Sequence, residues 1–214
     1  MRVIAIDGPA GSGKSTVARA LAARLGLEYL DTGAMYRSVT FAALQQQIDP
    51  ADSDAVAEMV KGVTIDVSPG GVIVDGTDAT TAIRGPEVSR AVSVVAANPA
   101  VRTEMVRRQR AWVADRDGGV LEGRDIGTVV FPDAELKVYL TADPEVRAQR
   151  RSKEVADLDY ETVAADLARR DAYDQGREVS PLTEAEDAFL VDTTGLSVEE
   201  IIDVIAARIG AGDD

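Results

Sequence analysis

The run Gly8-Pro-Ala-Gly-Ser-Gly-Lys14-Ser15 fits the spacing G-x-x-x-x-G-K-[ST] and lies between the apolar segment Val3-Ile4-Ala5-Ile6 and the helix-forming segment from Val17 to Leu25. Strand, glycine loop and helix in that order are what a phosphate-binding loop requires. Glycines let the backbone form a cup whose N–H groups converge on anionic oxygens. The helix behind the cup presents its positive end, and Lys14 adds a full charge. Gly8, Pro9, Ala10, Gly11, Ser12, Gly13, Lys14, Ser15 and Thr16 are therefore expected to bind a nucleotide triphosphate. Ser15 would offer its hydroxyl to Mg²⁺, and Gly26 would close the helix in the left-handed conformation.

Composition restricts the chemistry available to such a loop. The 214 residues include no cysteine and no histidine. Disulfides, thiol nucleophiles, thiolate metal sites and the usual neutral-pH acid/base residue are thereby excluded. A formal charge of −14 argues against nonspecific nucleic-acid or anionic-membrane partners, which require cationic patches. The segment Met1–Asp7 has too few apolar residues for a secretory signal, and no later stretch is long enough to span a bilayer. A soluble, cytoplasmic, monomeric protein of one domain, 1–214, is expected.

Five apolar runs read as buried strands: Val3–Ile6, Tyr29–Leu30, Val120–Leu121, Leu136–Leu140 and Phe189–Val191. Helical stretches separate them, which predicts an α/β fold, a five-stranded parallel sheet flanked by helices. Ligands collect at the carboxyl ends of such strands, where Asp7, Asp31, Glu122, Thr141 and Asp192 fall. Pro86 begins one helix, and Pro99 begins another that Gly118-Gly119 stops. Asp143-Pro144 starts a third, and Ser197-Val-Glu-Glu200 is a capping box for a last helix with Ile201, Ile202, Ile205 and Ile209 as its apolar face. Between Val63 and Ile83 the pattern changes to a small antiparallel meander with turn residues at Ser68–Gly71 and Asp75-Gly76. The expected division is a core of 1–61, 98–145 and 178–214, an insert at 62–97 and a polar helical region at 146–177.

Arginines carry the second half of the functional reading. Leu30-Asp-Thr32-Gly-Ala-Met-Tyr-Arg37 follows the second strand, and Glu122-Gly-Arg124-Asp125 follows the third. A carboxylate at a strand end beside a phosphate loop suits a Mg²⁺ shell, and an arginine two residues on matches phosphate oxygens with its planar fork. Arg147, Arg150 and Arg151 share a helix face able to close over phosphate. A second anion site lined by Arg37, Arg124, Arg170 and Arg177 is expected opposite the triphosphate site. Two facing anions favour phosphoryl transfer over hydrolysis, because a phosphate acceptor is already ionised near neutral pH and needs alignment rather than a general base. Lys14, Arg124, Arg151 and Arg177 are the expected catalytic side chains. Other kinases of small acceptors, such as uridylate or shikimate kinases, share the donor loop, and a nucleotide-sensing module without turnover would need only the cup.

The sequence Ile6-Asp-Gly-Pro9, then Leu-Asp31-Thr-Gly-Ala-Met-Tyr-Arg37, Gly123-Arg-Asp-Ile-Gly-Thr-Val-Val-Phe-Pro132 and Arg170-Asp-Ala-Tyr-Asp-Gln-Gly-Arg177 with Pro181-Leu182 resembles the bacterial cytidylate kinases nearly end to end. That resemblance implies a nucleoside monophosphate kinase fold with a β-containing insert and a helical lid, and transfer from ATP with Mg²⁺ to CMP and dCMP. It further implies that Arg37, Arg124 and Arg177 hold the acceptor phosphate. Ser93, Arg102 and Asp125 would read the cytosine edge, and Arg170 and Asp174 would contact the acceptor sugar and phosphate. Thr32 stands where the family usually has serine, and Glu122 where it often has aspartate, so Glu122 would meet Mg²⁺ directly or through water. A carboxylate facing the cytosine amino group meets a carbonyl in UMP instead, and discrimination against UMP is expected.

Overall fold

Strand β1 (Arg2–Asp7) is buried along nearly its whole length, as a central strand covered on both faces must be. The computed structural model describes residues 1–154 and 159–210; positions 155–158 of the expected lid and 211–214 of the expected core lie outside the described residues. From the N-terminus, β1 is followed by α1 (Lys14–Leu25), β2 (Tyr29–Asp31), α2 (Thr32–Gln45) and α3 (Ser53–Gly62). Next come β3 (Ile65–Ser68), β4 (Gly71–Val74), β5 (Thr77–Asp78), α4 (Pro86–Ala97) and α5 (Pro99–Ala114). The chain continues with β6 (Gly118–Glu122), β7 (Leu136–Thr141), α6 (Pro144–Glu154), α7 (Tyr160–Gln175), β8 (Phe189–Asp192) and α8 (Val198–Gly210).

Two compact units are built from these elements. The first joins Met1–Tyr29 to the described residues from Val113 onward, and the second is Leu30–Trp112. The larger sheet has the order β2-β6-β1-β7-β8, with β1 parallel to β6 and β7, and β7 parallel to β8. Ile4, Ile6, Val120, Val138, Leu140 and Val191 from its strands pack with Val17 and Leu21 of α1 and with Ile201, Ile202 and Ile205 of α8. Each such side chain removed from water contributes about 1.5–3 kcal/mol. The capping box forms as expected: Ser197 N–H donates to Glu200 Oε2 at 2.8 Å, and Glu200 N–H donates back to Ser197 Oγ at 3.3 Å. Gly26 closes α1 at φ 65°.

Asp7, Asp31, Glu122, Thr141 and Asp192 are each the last residue of a strand. One boundary is corrected. Helix α5 ends at Ala114, and Gly118-Gly119 opens β6 instead of stopping the helix. Gly118 pairs with Arg2 at φ 146°, and a Cβ there would lie 2.4 Å from the Arg2 carbonyl oxygen, so the close approach of two strands is what requires glycine.

In the second unit, β3, β4 and β5 form an antiparallel sheet. Alternation places Val72 and Val74 inside, with Phe41, Val63, Ile83 and Val88, while Ile73 faces outward. Asp75 and Gly76, at φ 48° and 77°, make the two-residue turn into β5.

Candidate functional site

Gly8 follows β1 directly at φ 143°, and a Cβ there would lie 2.0 Å from the Leu140 carbonyl oxygen of β7. Only glycine lets the chain leave the strand so close to its neighbour. The loop then runs into α1, whose first residue, Lys14, is buried and donates from Nζ to the Pro9 carbonyl at 2.7 Å. Burial, and after it the charge of Arg124, pushes the Lys14 ammonium down to about 7, against the pull of Glu122, Asp7 and Asp171. Ser15 and Thr16 are exposed on the first turn.

Two clasps hold this loop from elements far away in sequence. Asp171 of α7 accepts the Ala10 N–H at 3.2 Å, and Arg147 of α6 donates to the Ala10 carbonyl at 3.0 Å while pairing with the Asp171 carboxylate. The Thr193 hydroxyl faces the carbonyls of Ser12 and Thr141 at 3.1 and 3.0 Å, and Arg150 grips Thr193 at its hydroxyl and its carbonyl at 2.8 and 2.7 Å. Arg147 and Arg150, read from the sequence as part of a phosphate-closing face, are thus engaged with the protein's own backbone. Arg151 beside them is half-buried.

In the same unit the structure brings Arg124, Arg170, Asp174 and Arg177 together. Arg124 Nε donates to Asp174 Oδ2 at 3.0 Å. Arg177 Nε donates to the Asp174 carbonyl at 3.2 Å, with its Nη2 3.4 Å from Asp174 Oδ1. Arg170 Nε is buried without a hydrogen-bond partner among the described residues. Burial holds the Arg170 guanidinium below its ordinary range, with the neighbouring charges of Arg124 and Arg151 adding to the shift and those of Asp174 and Asp171 opposing it. Asp125 is buried next to Arg124, and Glu122 at the end of β6 accepts from the Tyr29 hydroxyl. Asp7 is pushed up to about 6 by burial, even though the Gly127 and Ile126 N–H groups pull it down.

The second unit holds the remaining residues. Asp31 caps α2 by accepting the Ala34 N–H at 2.8 Å, and Arg84 approaches its other oxygen at 3.4 Å. Thr32 is buried behind that cap. Arg37 donates from Nη1 to the Ile83 carbonyl at 2.9 Å and to Ser89 Oγ at 3.0 Å. Arg102, buried on α5, donates to the Ala96 carbonyl at 3.1 Å and stacks over the Tyr36 ring at 5.5 Å. Ser93 is half-buried on α4.

A family model described as cytidylate kinase matches residues 4–211 of the chain. The cytidylate kinase of Bacillus subtilis (strain 168) is 49% identical over 214 residues, which cover 96% of this chain and 95% of that protein. The bifunctional pantoate ligase/cytidylate kinase of Synechococcus sp. (strain WH7803) is 49% identical over 213 residues, covering 95% of this chain, which spans 43% of that longer protein. Among solved structures, a shikimate kinase from Acinetobacter baumannii in complex with shikimate matches with a TM-score of 0.51 at 17% identity, over 99% of this chain and 94% of that one. A likeness at that identity is one of fold.

Proposed function

This chain belongs to the cytidylate kinase family and is a (d)CMP kinase that uses ATP, and on that premise we propose a division of labour among its residues. Gly8 to Thr16 bind the triphosphate, with Lys14 turning from the Pro9 carbonyl to the outer phosphates. Arg124, Arg151, Arg170 and Arg177 neutralise the charge that spreads over the transferred phosphoryl group. The observation carrying this is the convergence of arginines on one acidic side chain: Arg124 and Arg177 both pair with Asp174, and Arg170, which feels the charges of Arg124 and Asp174, has a buried Nε without a hydrogen-bond partner among the described residues. Guanidinium groups crowded together in a buried place favour an anion that completes them.

Arg37, Arg124 and Arg177 hold the acceptor phosphate, and Arg170 and Asp174 contact its sugar and phosphate. Asp125, Ser93 and Arg102 read the cytosine edge, and Thr32 offers its hydroxyl to the same nucleotide. Transfer then needs alignment and electrostatic stabilisation rather than a general base, which fits a chain without histidine. For Mg²⁺, the exposed Ser15 hydroxyl and the Glu122 carboxylate, whose charge reaches Lys14, form a hard oxygen donor set of the kind the ion prefers. When bound, the ion neutralises charge on the donor's outer phosphates.

The segments 62–97 and 146–177 serve as acceptor-side insert and lid in this reading, and 1–61, 98–145 and 178–214 as core. Among the described residues no helix is long and apolar enough to cross a membrane. The protein works as a cytoplasmic monomer on small nucleotides, without nucleic-acid or membrane partners. Steady-state rates with ATP and each of CMP, dCMP, UMP, AMP and shikimate test the assignment. CMP and dCMP should exceed UMP by about a hundredfold in kcat/KM, as expected where a mismatched partner leaves a buried acceptor unsatisfied. Comparable use of UMP at subsaturating concentration would remove Asp125 as base reader.

A further inference from the structure

Asp7 ends β1, one residue before the phosphate loop, and is only 5% exposed. Its carboxylate reaches sideways: Oδ1 accepts the Ile126 N–H at 2.9 Å and Oδ2 the Gly127 N–H at 2.8 Å. These are the first two N–H groups of the π-helical turn Ile126–Val130, which no carbonyl within that turn can satisfy. On the other side of the same segment, the Gly123 N–H donates to the Ile6 carbonyl at 3.0 Å. Arg124 and Asp125 therefore sit on a short arch whose two feet stand on the last two residues of β1. The turn in its own right takes the Asp125 carbonyl, which accepts the Val129 N–H at 2.9 Å.

A carboxylate is a costly way to satisfy two amides in a buried place. Desolvation opposes its charge, and Asp125 adds a like charge nearby. An asparagine would avoid that cost but has one acceptor oxygen, so its NH₂ would face the second backbone N–H as donor against donor. Only an acidic side chain takes both. We infer that Asp7 is a positioning residue for recognition of the acceptor base: by holding both amides of the turn it fixes where Asp125 presents its carboxylate. The inference rests on the reading of Asp125 as the group that meets the cytosine amino group. It ties base recognition to the strand that also delivers the donor loop.

The test uses D7N, D125N and the double variant, each checked for folding by its thermal transition and assayed with CMP and UMP at one ATP concentration. A ratio of two acceptors cancels any change at the donor loop, whose Lys14 also feels the charge of Asp7. A purely structural loss lowers both acceptors together and leaves the ratio alone. D7N should cut the CMP-over-UMP preference in kcat/KM by about tenfold or more, and the double variant should be no less selective than D125N, because both changes act through one carboxylate. Full preference in folded D7N, with D125N losing it, overturns the positioning role and leaves base reading in place. Full preference in D125N removes base reading and this inference with it. Should D7N be too unstable to assay, D7E keeps two acceptor oxygens displaced by a methylene. An unchanged ratio there also overturns the inference, since a shifted turn must shift Asp125.

Discussion

Burial pushes the Lys14 ammonium down, and a triphosphate supplies the counter-charge that reverses this. With the ammonium pushed down to about 7, most of it is deprotonated at pH 8, whereas beside phosphates the charged form is favoured. ATP binding at pH 8 should therefore take up about one proton, and much less at pH 6. Calorimetry in two buffers of different ionisation enthalpy reads this directly. The uptake should vanish in Lys14→Met, whose turnover should also fall by about a hundred- to a thousandfold while its thermal transition persists. Uptake unchanged in that variant would assign the proton to another group. The placing of Lys14 at the start of α1, and of Arg124 after β6, was legible because each belongs to a short contiguous motif at a strand end. The clasp of Asp171 on Ala10 was not, since its partners stand 161 positions apart and leave no local pattern. Arg147 and Arg150 misled for a related reason: helical spacing shows that they share a face, but not that backbone carbonyls already occupy it.

Arg108 shows what one side chain does for an element. From α5 it donates to the Val60 and Val63 carbonyls at 2.9 and 2.7 Å, satisfying the C-terminal end of α3, and to Glu104 at 2.6 Å. Removing it leaves those carbonyls without their partner, and Arg108→Ala should cost about 1–3 kcal/mol in urea unfolding. Glu104 is held down to about 2 from 4.5, by its hydrogen bonds to Arg107 first and Arg108 next. A depressed carboxylate stabilises fully above its unfolded pKa and loses that contribution as pH falls through the folded one. The deficit of Glu104→Gln against the parent should be about 1 kcal/mol at pH 7, after solvent screening, and shrink between pH 4.5 and about 2. A deficit equal at both extremes would mean that packing, not charge, is lost. At this scale the sequence was informative wherever apolar periodicity and caps coincide, as in α8, and at the strand ends. Strand β5 escaped because Thr77-Asp78 carries no apolar signal. Gly118 escaped because the need for glycine comes from the Arg2 carbonyl on another strand, not from a turn.

For the whole molecule, the charge of −14 sets a response that no single pair controls. Folding confines like charges that the unfolded chain spreads apart, so repulsion destabilises the native state and salt should relieve it. Exposed ion pairs such as Arg2–Glu135 at 2.8 Å respond in the opposite direction, yet each is worth only a few tenths of a kcal/mol, and the 37 acidic side chains outnumber the 23 basic ones. The screening length falls from about 30 Å at 0.01 M to about 10 Å at 0.1 M, the range over which repulsion between well-separated carboxylates fades. Raising sodium chloride across that range at pH 7 should therefore lift Tm by about 2–4 °C for each kcal/mol of repulsion removed. Chloride settling in the phosphate loop would mimic the effect, and Lys14→Met separates the two. Screening raises Tm equally in the variant, whereas anion occupancy raises it in the parent alone. A Tm that falls with salt would show that the ion pairs outweigh the acidic excess.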